Sequence, residues 1–402
     1  MRTVTTTVTV RMKAIVFIRY GANSAVDLAP HECLVILIFL TNESHPSTDL
    51  SCHARLFFFA GVVSQVSRDV GTPFAQPPKL PTFSRLSLGQ HLRSVVHVLD
   101  TRHRDRPGII ASTAVEADDG LVLFDTGPES TFANVAEQLR AAGFAAKDVR
   151  HVFLSHIHFD HAGAAWRFAK LGATIYVHPR GAPHLIDPTK LIDSATRIYG
   201  DEMERLWGQF APIAEQRVRV MHDMDVVGVG QFEVCAIATP GHASHHNVYH
   251  WEDNVFGGDV AGVRLGGGPP IPPFVPPELQ IESWQESIGK IRALNAKKLY
   301  LPHFGPIEGS VSAHLDALGE RIRRWAIWFR DRMRAGHGEQ HLISAFAEYV
   351  AAELQEKGAT EDEVRDYECA DPSFMAVGAA VRYWQKHHPE EVSPIRSGDG
   401  QL

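Results

Sequence analysis

From residue 94 onward, apolar and polar positions alternate in short runs that predict β-strands over 94–99, 111–117 and 121–124. An Asp118-Asp119-Gly120 turn joins the last two into a hairpin. Residues 130–142 change to helical spacing, with Phe132, Val135 and Leu139 recurring on one face. Short apolar runs at 152–154 and 173–177 predict buried strands, and the strand rhythm returns at 226–232, 234–238, 247–251 and 254–256. Beyond His303 the pattern is helical over 311–334, 341–357 and 373–388. Two series of strands with helices between them predict a layered α/β sandwich over 85–310, then a helical region over 311–391 and a flexible tail over 392–402.

The first 84 residues follow no such rhythm. Residues 3–10 alternate like a strand without an obvious hairpin partner, and 33–40 and 56–63 are apolar runs of eight residues each. A membrane span needs about 20 apolar residues, so neither run is long enough to cross a bilayer. Neither has the basic flank and small-residue exit of a signal peptide. The expectation is a poorly ordered or weakly packed extension over 1–84, with the Pro-rich stretch 73–81 as the linker into the main domain.

Composition narrows the function more than the fold. The chain has 402 residues, 44% hydrophobic and 21% charged, an ordinary globular balance. Lys and Arg number 39 against 47 Asp and Glu, a net charge of −8, and no basic stripe interrupts this acidic balance. A protein that grips a phosphate backbone needs such a stripe, so nucleic acid is not an expected partner, nor is a membrane. Four scattered cysteines without a C-x-x-C pair predict a reducing, cytoplasmic setting. The outlier is histidine, with 23 copies that cluster.

The densest cluster is Ser155-His156-Ile157-His158-Phe159-Asp160-His161, directly after the predicted strand 152–154. Histidines two apart on an extended segment point to the same side, so His156 and His158 can share one metal ion. Asp160 and His161 begin the next turn and can reach a second ion beside the first. Four potential ligands within six residues predict a metal site rather than a solvated polar loop.

Four further segments stand in order around this one: Phe124-Asp125-Thr126-Gly127, Thr239-Pro240-Gly241-His242, Phe256-Gly257-Gly258-Asp259 and Leu301-Pro302-His303-Phe304-Gly305. Each alone has a plainer reading. The triplet at Asp125 also matches the nucleophile of aspartic proteases, although no second such triplet occurs. Asp259 could cap a turn, and His303 could be structural. Together, over about residues 90 to 310, the five segments resemble the metallo-β-lactamase superfamily, whose members share a four-layer αββα sandwich with a dinuclear metal site at one edge. The resemblance implies that His156, His158 and His242 hold one ion, that Asp160, His161 and His303 hold another, and that Asp259 bridges both. It places Asp125 behind the ligands as a brace. An Asp rather than a Cys at 259, and the acidic charge, set the chain apart from the β-lactamases that use Cys there and from the tRNA-processing nucleases. The remaining similarity is to the glyoxalase II-like hydrolases. Segments 241–246, 261–264 and 303–305 resemble one subgroup of that branch, with His245 standing where many relatives have Gly.

The chemistry fits the donor types. Neutral imidazoles suit Zn²⁺ and related borderline ions, and a carboxylate can span two of them. The expected cofactors are two divalent ions, zinc first, with iron or manganese as alternatives. They would share a bridging hydroxide, with Asp160 and Asp259 as the catalytic carboxylates. The expected reaction is hydrolysis of a small thioester or ester. The alternatives are a lactonase of the same fold and a single-iron persulfide dioxygenase. Arg264 in the Pro/Gly-rich stretch 262–277, His245 and Tyr199 are the candidate substrate contacts, and His246 is expected behind the ligands. Residues 180–206, with Trp207 just beyond, fit either a lid or an amphipathic packing surface. Trp325, Trp328 and Phe329 at helical spacing predict either core or a homodimer contact.

Overall fold

The computed structural model describes residues 11–19, 34–41 and 95–393, and the chain divides into two units, Met1–Leu88 and Gly89–Leu402. In the first, β1 (Arg11–Arg19) pairs antiparallel with β2 (Leu34–Thr41), which takes up most of the apolar run 33–40. Residues 3–10, 56–63 and 73–81 lie outside the described residues.

The second unit is built on two six-stranded sheets. The first runs in spatial order β3 (Val96–Asp100), β4 (Ala111–Ala117), β5 (Gly120–Phe124), β6 (Val149–Phe153), β7 (Thr174–Val177) and β8 (Val218–Val220). Its first three strands are antiparallel, and the pairs from β5 to β8 are parallel. The second sheet contains β9 (Val226–Val229), β10 (Phe232–Ala238), β11 (Asn247–Trp251), β12 (Asn254–Phe256), β13 (Lys298–Leu301) and β14 (Gly305–Pro306), all antiparallel except the β12–β13 pair.

Strand alternation explains the layering. Successive side chains point to opposite faces, so each buried strand feeds two cores. Leu121 and Leu123 of β5 pack under helices, whereas Val122 and Phe124 enter the space between the sheets. On the facing sheet, Val255 and Leu299 pack outward under helices while Phe256 and Tyr300 face inward. The inter-sheet layer is aromatic, with Phe124 stacked on Phe256 and Phe153 stacked on Tyr176 at 4.4 Å between ring centres. Large rings fill the gap that two packed sheets leave.

Helices α1 (Phe132–Ala141), α2 (Phe159–Ala162), α3 (Ala165–Lys170), α4 (Ala182–Ile186), α5 (Thr189–Tyr199) and α6 (Met203–Trp207) follow strands of the first sheet. Val135 and Leu139 of α1, Phe168 of α3 and Leu185 of α4 form its outer core. On the second sheet lie α7 (Ile281–Ala293), α8 (Val311–Arg334), α9 (Glu339–Glu356), α10 (Glu361–Ala370) and α11 (Ser373–His387). Trp284 and Ile288 of α7 share one core with Leu315, Ile322 and Trp325 of α8. The layers are therefore α, β, β, α, and the helical region beyond 310 closes the fourth layer instead of standing apart. Trp325, Trp328 and Phe329 are buried in this core.

Several boundaries differ from the pattern reading. Gly120 opens β5 and leaves a two-residue turn, because Ala117 pairs with Gly120. Its φ of +136° and the 2.7 Å that would separate a Cβ from the Asp148 carbonyl explain why glycine stands there. β6 begins at Val149, ahead of the apolar run, because the exposed Arg150 and half-buried His151 hide its start. β8, α7, β13 and α10 were not legible as separate elements. In α10 the charged sequence EDEVRDYECA buries only Tyr367. Among the described residues, no helix is long and apolar enough to cross a membrane.

Every metal-motif segment follows the C-terminal end of a strand: β5, β6, β10, β12 or β13. The pairing makes β5 parallel to β6 and β12 parallel to β13, and two antiparallel steps bring β10 into line with β12. These ends therefore gather at one edge of each sheet. All three core clusters and all seven donors lie after residue 98. A protein beginning at Pro81 should unfold cooperatively and keep its metal. A denaturant melt that loses its sigmoid in this truncation would show that the first unit belongs to the core.

Candidate metal centre

Asp125 sits just past β5 with a left-handed φ of 53° and is buried. Its carboxylate accepts from the Ser155 backbone N–H at 2.7 Å, the Ser155 hydroxyl at 2.8 Å and His161 Nδ1 at 3.0 Å. Thr126 Oγ1 adds a bond to the His161 carbonyl at 2.8 Å. The end of β5 thereby fixes both ends of the histidine-rich segment that follows β6.

Two donor groups result. His156, His158 and His242 form one, and Asp160, His161, Asp259 and His303 form the other, with the donor atoms of each within 4.8 Å of one another. In the first, His158 Nδ1 lies 2.9 Å from His156 Nε2 and 3.0 Å from His242 Nε2. Asp259 offers one oxygen to each group. Its Oδ2 is 3.4 Å from His242 Nε2 and 3.8 Å from His156 Nε2, while its Oδ1 is 3.3 Å from His161 Nε2 and 3.7 Å from His303 Nε2. Asp160 Oδ2 stands 3.3 Å from His161 Nε2 and 3.4 Å from His303 Nε2.

Hydrogen-bond partners assign the tautomers. A carbonyl can only accept, so His242 donates from Nδ1 to the Pro273 carbonyl at 2.8 Å, and His303 from Nδ1 to the Ile109 carbonyl at 2.9 Å. His161 donates from Nδ1 to Asp125. Ser155 gives its proton to Asp125 and so accepts from His156 Nδ1 at 3.0 Å. In their neutral form all four imidazoles thus turn the lone pair of Nε2 inward, as a ligand must.

These lone pairs face carboxylates. His161 Nε2 and Asp259 Oδ1 are buried without a hydrogen-bond partner at 3.3 Å, and two acceptors at that distance repel unless a positive charge lies between them. Burial pushes His161 down, but Asp160, Asp259 and Asp125 overcome it and pull the ring well above its ordinary value. In the first group, burial and then the neighbouring imidazoles hold His156 and His158 well below theirs, in the neutral form that binds metal. The donor set therefore fits two divalent cations.

Residues behind and around the donors divide by what they touch. His246 is buried, with Nδ1 2.8 Å from Thr239 Oγ1 and Nε2 accepting from the Val260 N–H at 3.4 Å, so it braces the Asp259 loop. Gly258 has a φ of +51°, and a Cβ there would meet His246 Nε2 at 2.3 Å. His245 lies beside the first group, its ring centre 5.7 Å from that of His158, with Glu278 at 3.8 Å. Arg264 touches the site through its backbone, whose N–H donates to the His303 carbonyl at 2.6 Å. Its guanidinium donates from Nε to the Gly268 carbonyl and from one terminal nitrogen to the Glu308 carbonyl, which ties it to the loop. Tyr199 is at the end of α5, packed edge-on against Trp207 and close enough to Asp160 to feel its charge.

Sequence reasoning passed over His103. Its ring is buried and stacks on Trp207 with centres 5.2 Å apart, and Asp160 and His303 act on it electrostatically. Burial, the largest influence, lowers it to about 4. The available signal was a histidine inside the basic run Arg102-His103-Arg104-Asp105-Arg106 of an acidic protein.

Comparison with known proteins agrees with this architecture. Residues 105–303 match the metallo-beta-lactamase superfamily model. A metallo-beta-lactamase fold-containing protein from Sulfurisphaera tokodaii is 26% identical over 165 residues, an alignment covering 40% of this chain and 62% of that protein. The chain thus spans less than two thirds of that relative's length. The crystal structure of a metallo-beta-lactamase family protein from Thermus thermophilus superposes with a TM-score of 0.52 at 17% identity, covering 72% of this chain and 93% of that one. That likeness is one of fold. With the family match spanning the donor-bearing segments from Asp125 to His303, residues 105–303 of this chain belong to the metallo-β-lactamase superfamily.

Proposed function

We propose that this protein is a dinuclear metal-dependent hydrolase acting on a small thioester or ester, in the manner of the glyoxalase II-like enzymes. The observation that carries the reading is the pair of adjoining donor groups, each facing one oxygen of Asp259. Bound divalent cations would supply Lewis acidity and a water acidic enough to attack near neutral pH.

The protein's own residues do the rest. Asp125 and Ser155 hold His161 and His156 in the ligating tautomer, and the Pro273 and Ile109 carbonyls do the same for His242 and His303. Asp160 is the more accessible carboxylate, with its side chain 20% exposed against 5% for Asp259. Burial opposes its charge, but His161 and His303 hold it well below the usual carboxylate range. It is therefore ionised at neutral pH and can orient a water by accepting its hydrogen bond. No serine or cysteine nucleophile is required.

Metal analysis followed by assays with thioesters, lactones and phosphodiesters tests this reading. The expected result is about two ions per chain and chelator-sensitive hydrolysis of a thioester or ester. A single iron with oxygen consumption on a persulfide would overturn it, as would phosphodiester turnover well above every thioester and lactone.

A further inference from the structure

We propose that the loop after β3 and the end of α6 form a recognition wall for an acyl compound with a flat apolar body and a negatively charged arm. This rests on the hydrolase reading and names its substrate class. The wall stands beside the second donor group, with the Trp207 ring centre 6.4 Å from that of Phe159, the residue directly before Asp160. Its face is aromatic. His103 and Trp207 lie parallel, 9° apart, and Tyr199 meets Trp207 edge-on at 5.3 Å.

Three features mark this wall as a site rather than packing. His103 Nδ1 and Trp207 Nε1 are buried without a hydrogen-bond partner among the described residues, leaving two polar atoms next to the donors uncompensated. The loop holds three non-glycine residues at left-handed φ: Arg102 at 52°, Arg104 at 56° and Asp105 at 61°. Such strain persists where geometry serves a function. The third feature is charge. Arg102 and Arg104 are exposed and, among the described residues, have no carboxylate at ion-pair distance. The guanidinium of Arg104 instead reaches Cys369 Sγ of α10 at 3.6 Å. Arg205 of α6 is paired with Glu202. In a chain of net charge −8, two exposed guanidiniums on the loop that carries His103 suit an anion whose apolar part lies against the rings.

The test uses the metal-loaded full chain with S-phenylacetyl thioglycolate and its neutral amide. The double change Arg102→Gln/Arg104→Gln should lower the ratio of kcat/KM for the anion to that for the amide about tenfold. A thioether that cannot be hydrolysed, (phenethylthio)acetate, is titrated in parallel by tryptophan fluorescence. Its Kd should rise in the arginine variant and in Trp207→Phe. Hydrolysis with an unmoved ratio and unmoved Kd overturns the wall and leaves the hydrolase. Arginine-dependent binding of the thioether without turnover of any ester or thioester supports the wall and overturns the hydrolase.

Discussion

His303→Ala should leave the protein with about one divalent ion per chain in place of about two, and should slow hydrolysis about 100- to 1,000-fold. His303 Nε2 belongs to the second donor group, 3.4 Å from Asp160 Oδ2 and 3.7 Å from Asp259 Oδ1. Its removal leaves three donors there, while His156, His158 and His242 keep the first group whole. The fold should survive, because the frame gives up one hydrogen bond to the Ile109 carbonyl, worth about 1 kcal/mol. Metal analysis by mass spectrometry with a thermal melt checks both parts. A parent protein that holds a single ion under metal excess would defeat the dinuclear reading.

Asp125→Asn should weaken metal binding about 100-fold while leaving every ligand in the sequence untouched. The carboxylate accepts three hydrogen bonds, two of them, from Ser155 Oγ and His161 Nδ1, on Oδ2. An amide that keeps its oxygen toward the Ser155 N–H presents an NH₂ to the other two. His161 then has to accept at Nδ1 and carry its proton on Nε2, the atom that faces Asp160 and Asp259. A protonated Nε2 cannot bind a metal. Titration with Zn²⁺ against a competing chelator reads the change. Unaltered affinity would show that Asp125 does not set the tautomer.

The sequence by itself singled out the candidate donors and most of the strands. Ligation demands particular side chains, and four of the seven donors lie within six residues, where the 156, 158, 160, 161 spacing places them whatever the rest of the chain does. Alternation along β5 and its neighbours was equally local, so the layering could be read from period alone. The reading weakened where burial depends on remote partners. α7 spaces Ile281, Trp284, Ile288 and Ile291 along one face, but polar residues between them dilute the pattern. The loop carbonyls that Arg264 meets were equally out of reach, because a sequence does not say which carbonyls will surround a guanidinium.

Only the tertiary structure decided which nitrogen each imidazole presents. That choice belongs to the atom on the far side of the ring, and for His303 it is a carbonyl 194 residues away. The same holds for the stack of His103 on Trp207 and for the two oxygens of Asp259 that face different donor groups. Residue type and local spacing set what a side chain can donate. The direction in which it donates is fixed by partners that the chain brings together only when it folds.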